Sequence, residues 1–156
     1  MDVDIKQVMG CTCLRLRRAT RRLTQIYDQA LGSAGITANQ FGLLMHLYGA
    51  SLGGSHGLSI GTLAERLGTD PTTLNRTLKP LQERGLVSIA ADPDDGRVRI
   101  TRITDRGQHE ARAAIPLWRA AQTRVEAALG ATATDALNEL LDRAAATRAD
   151  PAAAGG

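Results

Sequence analysis

Apolar residues recur at helical spacing along most of the chain, and in one short stretch the spacing drops to two. Residues 11–31 contain no glycine or proline, and Leu16, Ala19, Leu23, Tyr27, Ala30 and Leu31 share one broad face, which predicts a long helix. Residues 32–36 (GSAGI) read as a connection. Thr37 is placed to cap a second helix with Phe41, Leu44, Met45 and Tyr48 on its buried stripe, and residues 51–57 (SLGGSHG) read as a flexible loop. Ahead of these, residues 1–10 carry Ile5, Val8 and Met9 without a clear cap, a pattern that fits an arm or a helical lead-in.

Ser59 then caps a short helix with Ile60, Leu63, Ala64 and Leu67 at the 3.6-residue period, and Gly68 stands at its stop. Asp70 supplies the next N-cap. Pro71 occupies the first helical position, where its missing N–H costs nothing, and Leu74, Leu78 and Leu81 mark the stripe of a longer helix ending at Gly85. Leu86, Val87 and Ile89 read as a strand, residues 91–96 (ADPDDG) as a turn, and residues 97–101 as a returning strand. In that strand Val98 and Ile100 face in while Arg97 and Arg99 face out. Thr104 caps a helix over about 105–129, which Pro116 is expected to kink. After Gly130, Thr134 can cap a final helix with Leu137, Leu140, Leu141 and Ala144 in register, and residues 150–156 are expected to be disordered.

The segment 59–103 is therefore a scaffold helix, a tight turn, a second helix and a two-stranded wing: a winged helix-turn-helix in a mainly helical chain. The outer face of the second helix carries Thr72, Thr73, Asn75, Arg76 and Lys79, all hydrogen-bond donors and none acidic. Most lie near the helix N-terminus, the end that meets base edges when such a helix enters the major groove. Arg97 and Arg99 on the wing suit the negative potential of a narrow minor groove. Taken in isolation they could merely keep a strand soluble; following a helix of this composition, they favour contact with nucleic acid.

The run LAERLGTDPTTLNRTLKPLQERGLV, followed by DPDDGR and a strand closing on ITDRG, resembles the MarR family of bacterial winged-helix regulators, and the flanking helices have the lengths expected of it. The resemblance implies one domain over 1–156, with 11–31 and 105–148 mainly dimerisation helices around the DNA-binding unit at 59–103. It also implies a homodimer that binds a pseudo-palindromic operator on double-stranded DNA and represses until an effector releases it. The family's Asp-x-Arg wing motif is matched by Asp95, Gly96 and Arg97, with Asp95 stabilising the wing and Arg97 reaching the minor groove.

Composition narrows the partners. A length of 156 residues suits one domain with a core of its own, and a formal charge of +3 permits nucleic-acid binding. Aromatics make up only 3%, too few for a platform that stacks single-stranded bases, so duplex DNA is the better fit. The N-terminus lacks the apolar core of a signal peptide, and no run approaches the roughly 20 apolar residues of a membrane span, so a cytoplasmic location without membrane association is expected. Three histidines and two cysteines, none at ligand spacing from a histidine, give no basis for a structural metal or a cofactor. Nor is there a phosphate-cradling glycine loop, a G-x-S-x-G elbow or an H-E-x-x-H pair, so an enzyme is not expected. A winged helix that binds protein instead would need apolar anchors on the outer face of its second helix, where this chain has polar ones.

A signal could enter at Cys13. The run from Cys13 to Tyr27 is similar to the start of the first helix in the family's organic-hydroperoxide-sensing branch, where a tyrosine 14 residues after the cysteine hydrogen-bonds it; that branch has a further tyrosine at the position of Arg17. Along one helix 14 residues span roughly 21 Å, so Tyr27 could approach Cys13 only from a second subunit. Arg17 sets a cation one turn after Cys13. If the helix already includes Cys11, its side chain projects to the far side of the helix, and a Cys11–Cys13 disulfide would need local unwinding. Three readings stay open: peroxide sensing at Cys13, a merely packed thiol, and capture of a soft metal or metalloid by Cys11 and Cys13. A small aromatic or carboxylate ligand is the rival effector, with Tyr27, His46, Arg112 and Trp118 as candidates for lining its pocket.

Overall fold

The computed structural model describes residues 5–147 and divides into two compact units, 1–121 and 122–156. The elements run α1 (Ile5–Met9), α2 (Thr12–Leu31), a 3₁₀ turn (Gly32–Ala34), α3 (Ala38–Leu52), β1 (Leu58–Ser59), α4 (Ile60–Arg66), α5 (Pro71–Glu83), β2 (Val87–Ala91), β3 (Arg99–Ile103), α6 (Asp105–Leu129) and α7 (Ala131–Ala146). The expected disordered tail and the end of the 105–148 helical region lie outside the described residues.

Capping chemistry fixes the helix starts. Thr37 accepts from the Gln40 amide at 3.2 Å while the Gln40 side chain accepts from the Thr37 amide at 3.0 Å, closing a reciprocal capping box. Ser59 accepts from the Thr62 amide at 3.0 Å, Asp70 from the Thr73 amide at 2.9 Å, and Thr104 from the Gly107 amide at 3.0 Å. Gly68 and Gly85, at φ +60° and +70°, take the left-handed conformation that stops α4 and α5.

Two apolar clusters organise the first unit. The larger joins Leu43, Leu44 and Leu47 of α3, Leu63 of α4 and Leu74, Leu78 and Leu81 of α5, with Leu86, Val87 and Ala111 closing it. The smaller joins Leu31, Ile36, Phe41 and Ala114. Truncating any of these leucines to alanine is expected to cost about 2–5 kcal/mol, so α4 and α5 are held as one block. In the second unit, Val125 and Thr134 are buried, whereas Leu129, Leu140 and Leu141 are exposed.

The structure corrects several expectations. The wing sheet has three strands, not two, in the order β1-β3-β2, with Leu58 opposite Thr101 and Ile89 opposite Thr101 on the other side. The returning strand occupies Arg99–Ile103 instead of 97–101, because Asp92 and Val98 close the turn through a backbone bond of 2.8 Å and keep Arg97 within it. α3 continues to Leu52, shortening the loop expected at 51–57. The stripe of α3 is wider than expected, since Leu43 and Leu47 are also buried. Cys11 precedes α2 in extended conformation instead of joining it. Thr134 is not a cap: α7 starts at Ala131, and the Thr134 hydroxyl donates back to the Gly130 carbonyl at 2.9 Å. The helix expected over about 105–129 is present as α6, Asp105–Leu129, with Pro116 inside it.

Candidate nucleic-acid interface

The capped start of α5 and the wing form one polar surface. Thr72, Thr73, Asn75, Arg76 and Lys79 are all exposed, opposite the buried Leu74, Leu78 and Leu81. Asp70 does more than cap the helix: its second carboxylate oxygen accepts from the Thr73 hydroxyl at 2.5 Å. The Thr73 hydroxyl and amide together hold the Asp70 carboxyl below its ordinary pKa, with burial opposing them. The Thr73 hydroxyl proton is thereby directed at Asp70, so Thr73 meets an incoming ligand as an acceptor.

Asn75 and the wing arginines Arg97 and Arg99 line a common groove of about 580 Å³ between α5 and the sheet, floored in part by Ser59 and Ile89. Thr73 lies instead in a cleft of about 320 Å³ with Thr69, Thr77 and Asn39. Thr72, Arg76 and Lys79 line neither. At the wing tip Asp92 accepts from the amides of Asp94 and Asp95 at 2.8 and 3.3 Å, and Asp95 accepts from the Arg97 amide at 3.0 Å. The Arg97 side chain is 96% exposed and sits 3.6 Å from the Asp95 carboxylate, beyond hydrogen-bond range, so the guanidinium can swing to an anion.

The effector candidates fall into two places. Cys13 is exposed and shares a shallow groove on α2 with Leu16, Arg17 and Arg21. Cys11 is exposed as well. Tyr27 lies elsewhere, in a cavity of about 490 Å³ whose walls include Leu31, Met45, His46, Phe41 and Trp118; Arg112 is not among them. The Phe41 and Trp118 rings stack there with centroids 6.3 Å apart. His46 holds its Nδ1 2.8 Å from the Gly42 carbonyl. Within one chain Cys13 and Tyr27 are therefore apart. Among the described residues no group of three or more metal-ligating side chains occurs, and no helix is long and apolar enough to cross a membrane.

One cluster at the C-terminal end of α5 has no counterpart in the sequence pattern. Arg84, the residue that ends α5, donates to the Gly35 carbonyl at 2.7 Å and to the Glu110 carboxylate at 2.7 Å, and Arg106 approaches the same carboxylate at 3.1 Å. No local pattern signals a pair 26 positions apart.

Two capped helices joined at Gly68 and followed by an arginine-tipped wing define a winged helix-turn-helix protein. The sequence pattern of the MarR family matches residues 34–98. The fold matches the Mycobacterium tuberculosis transcriptional regulator MosR, in its crystal structure with DNA, at a TM-score of 0.73 and 34% identity, covering 90% of this chain and 100% of that one. A transcriptional regulator from Pseudomonas aeruginosa matches at a TM-score of 0.75 and 26% identity, over 88% of this chain and 98% of that one. The Bacillus subtilis HTH-type transcriptional regulator YdgJ is 32% identical over 74 residues, 47% of this chain and 42% of YdgJ, so the match spans less than half of that relative. The chain belongs to the MarR family, whose members are DNA-binding transcriptional regulators and not enzymes.

Proposed function

We propose that the protein is a cytoplasmic homodimeric repressor that reads a pseudo-palindromic operator through α5 and the wing and is released by an effector. The observation that carries this is the juxtaposition of Asn75, Arg97 and Arg99 in one groove beside the exposed Arg76, with the Asp70 carboxylate at the start of α5 engaged in capping. In the docking envisaged, Thr72, Asn75 and Arg76 meet base edges, Lys79 meets phosphate, and Arg97 and Arg99 follow the minor groove. MosR, whose crystal structure contains DNA, supports the reading.

Dimerisation is supported by apolar surface left open in one chain: Val8, Met9 and Leu14 at the N-terminal end, and Leu129, Leu140 and Leu141 in the second unit. In this reading 11–31 and 105–148 are mainly dimerisation helices, and the dimer sets recognition helices about 34–36 Å apart, which fixes half-site spacing. Selection of duplexes from a randomised pool by the full-length protein tests this: enrichment of two inverted half-sites about 10–10.5 base pairs apart supports it, and enrichment of nothing or of a single site contradicts it.

Two effector readings follow from the two candidate places. Exposed Cys13, with Arg17 in the same groove, is the peroxide-sensing candidate. The cavity beside Tyr27 and Trp118 suits a flat apolar or aromatic ligand. A Cys13→Ser protein is expected to bind operator normally and stay bound after organic peroxide. If it still released DNA on oxidation, Cys13 would not be the sensor.

A further inference from the structure

α5 must be held at a defined angle to the rest of the first unit if its N-terminal side chains are to meet base edges, and its C-terminal end is where the structure fastens it. Arg84 ends the helix with its guanidinium divided between two places. One nitrogen donates to the Gly35 carbonyl in the turn between α2 and α3, 49 residues earlier, and the other to Glu110 on α6, 26 residues later. The next two carbonyls are fastened as well: the Thr104 hydroxyl donates to Gly85 at 2.7 Å, and the Thr104 amide donates to Leu86 at 3.1 Å. Arg84 and Glu110 side chains are 34% and 26% exposed, so the pair is partly shielded from water.

We infer that Arg84, clamped by Glu110 and the Gly35 carbonyl, is a positioning residue for operator reading: it sets the angle of the recognition helix without touching DNA. The inference rests on the proposed DNA-reading function. A planar fork suits this task because it binds two acceptors in fixed relation, which a lysine ammonium on a flexible stem does not. In a dimer an error in that angle is made twice, once at each half-site, so selectivity for operator over random duplex is the property at stake.

The test uses the full-length protein, an operator duplex selected by the wild type from a randomised pool, and a random duplex of equal length, titrated at several salt concentrations. Variants are Arg84→Met, Arg84→Lys, Glu110→Gln and the Arg84→Met/Glu110→Gln double. The operator-to-random affinity ratio is expected to fall about tenfold in Arg84→Met, less in Glu110→Gln, and no further in the double than in Arg84→Met, since the two act as a unit. Arg84→Lys should recover only part of the ratio. The salt dependence on random duplex should stay as in the wild type.

An unchanged ratio in all variants overturns the inference. So does a salt slope reduced by about one per subunit, which would make Arg84 a phosphate contact. Equal losses on both duplexes, tracking thermal stability, would make the cluster merely structural and likewise overturn it. If Arg84→Met fails to fold, Glu110→Gln and Arg84→Lys decide by the same ratio. A wild type that enriches no sequence overturns the proposed function itself, whereas an enriched operator with indifferent variants overturns this inference alone.

Discussion

Replacing Thr101 by valine should stabilise the protein. Thr101 is fully buried at the centre of β3, between Leu58 on β1 and Ile89 on β2, and its hydroxyl oxygen has no hydrogen-bond partner among the described residues. Leaving a buried hydroxyl unsatisfied costs about 1–3 kcal/mol. Valine has the same shape and β-branching, and adds a buried methyl in an apolar site, worth up to about 0.8 kcal/mol. Allowing for imperfect fit, a net gain of about 1–2 kcal/mol is expected, which for a chain of this size raises Tm by about 2–4 °C per kcal/mol. Urea unfolding at fixed protein concentration measures it, with a raised midpoint and an unchanged slope. Thr101→Ala serves as the control: it removes the hydroxyl but opens a cavity, and should stabilise less than valine or destabilise. A valine variant less stable than the wild type would refute the reasoning, because it would mean that the hydroxyl is satisfied in solution.

Further outcomes are expected at three positions. Gly107 approaches the backbone so closely that an added Cβ would lie 2.0 Å from the Leu86 carbonyl oxygen, so Gly107→Ala should unfold at a clearly lower temperature, and unaltered stability would show that the strand-to-helix junction can shift. Because the Asp70 carboxyl is held below its ordinary pKa, its contribution is present above the unfolded value and lost as pH falls through the depressed one; Asp70→Asn should therefore flatten the acid limb of stability below about pH 4, and an acid limb identical to wild type would count against the cap. Arg97→Ala should weaken operator and random duplex alike and lower the salt slope by about one per subunit, as read by titration across salt.

Much of the fold was legible because it rests on local chemistry. Ser59, Asp70, Thr104 and the glycines at 68 and 85 act within a few residues of themselves, so cap and stop signals located α4 and α5. The misreadings of β1 and of the α3 stripe concern non-local effects. β1 is only two residues long and shares Ser59 with a helix cap, so no alternation could reveal it; it exists because β3 offers it an edge. Leu43 and Leu47 are buried because α3 is covered on more than one side, which a single-stripe reading of Phe41 and Leu44 underestimates. Residue type and helical period placed Asn75, Arg76 and Lys79 on the outer face of α5, where the structure has them exposed. The redirected Thr73 hydroxyl and the Arg84–Glu110 clamp depend on coordinates alone.

Sequence-specific reading of duplex DNA by α5 is put to the test by fluorescence anisotropy of wild-type and Arg76→Ala protein on the selected operator and on a scrambled duplex, at one stated salt concentration. The wild type is expected to prefer the operator, and Arg76→Ala to lose about 1–3 kcal/mol of that preference while retaining most of its affinity for the scrambled duplex. Equal wild-type affinity for both duplexes, or an Arg76→Ala protein with undiminished preference, would contradict it.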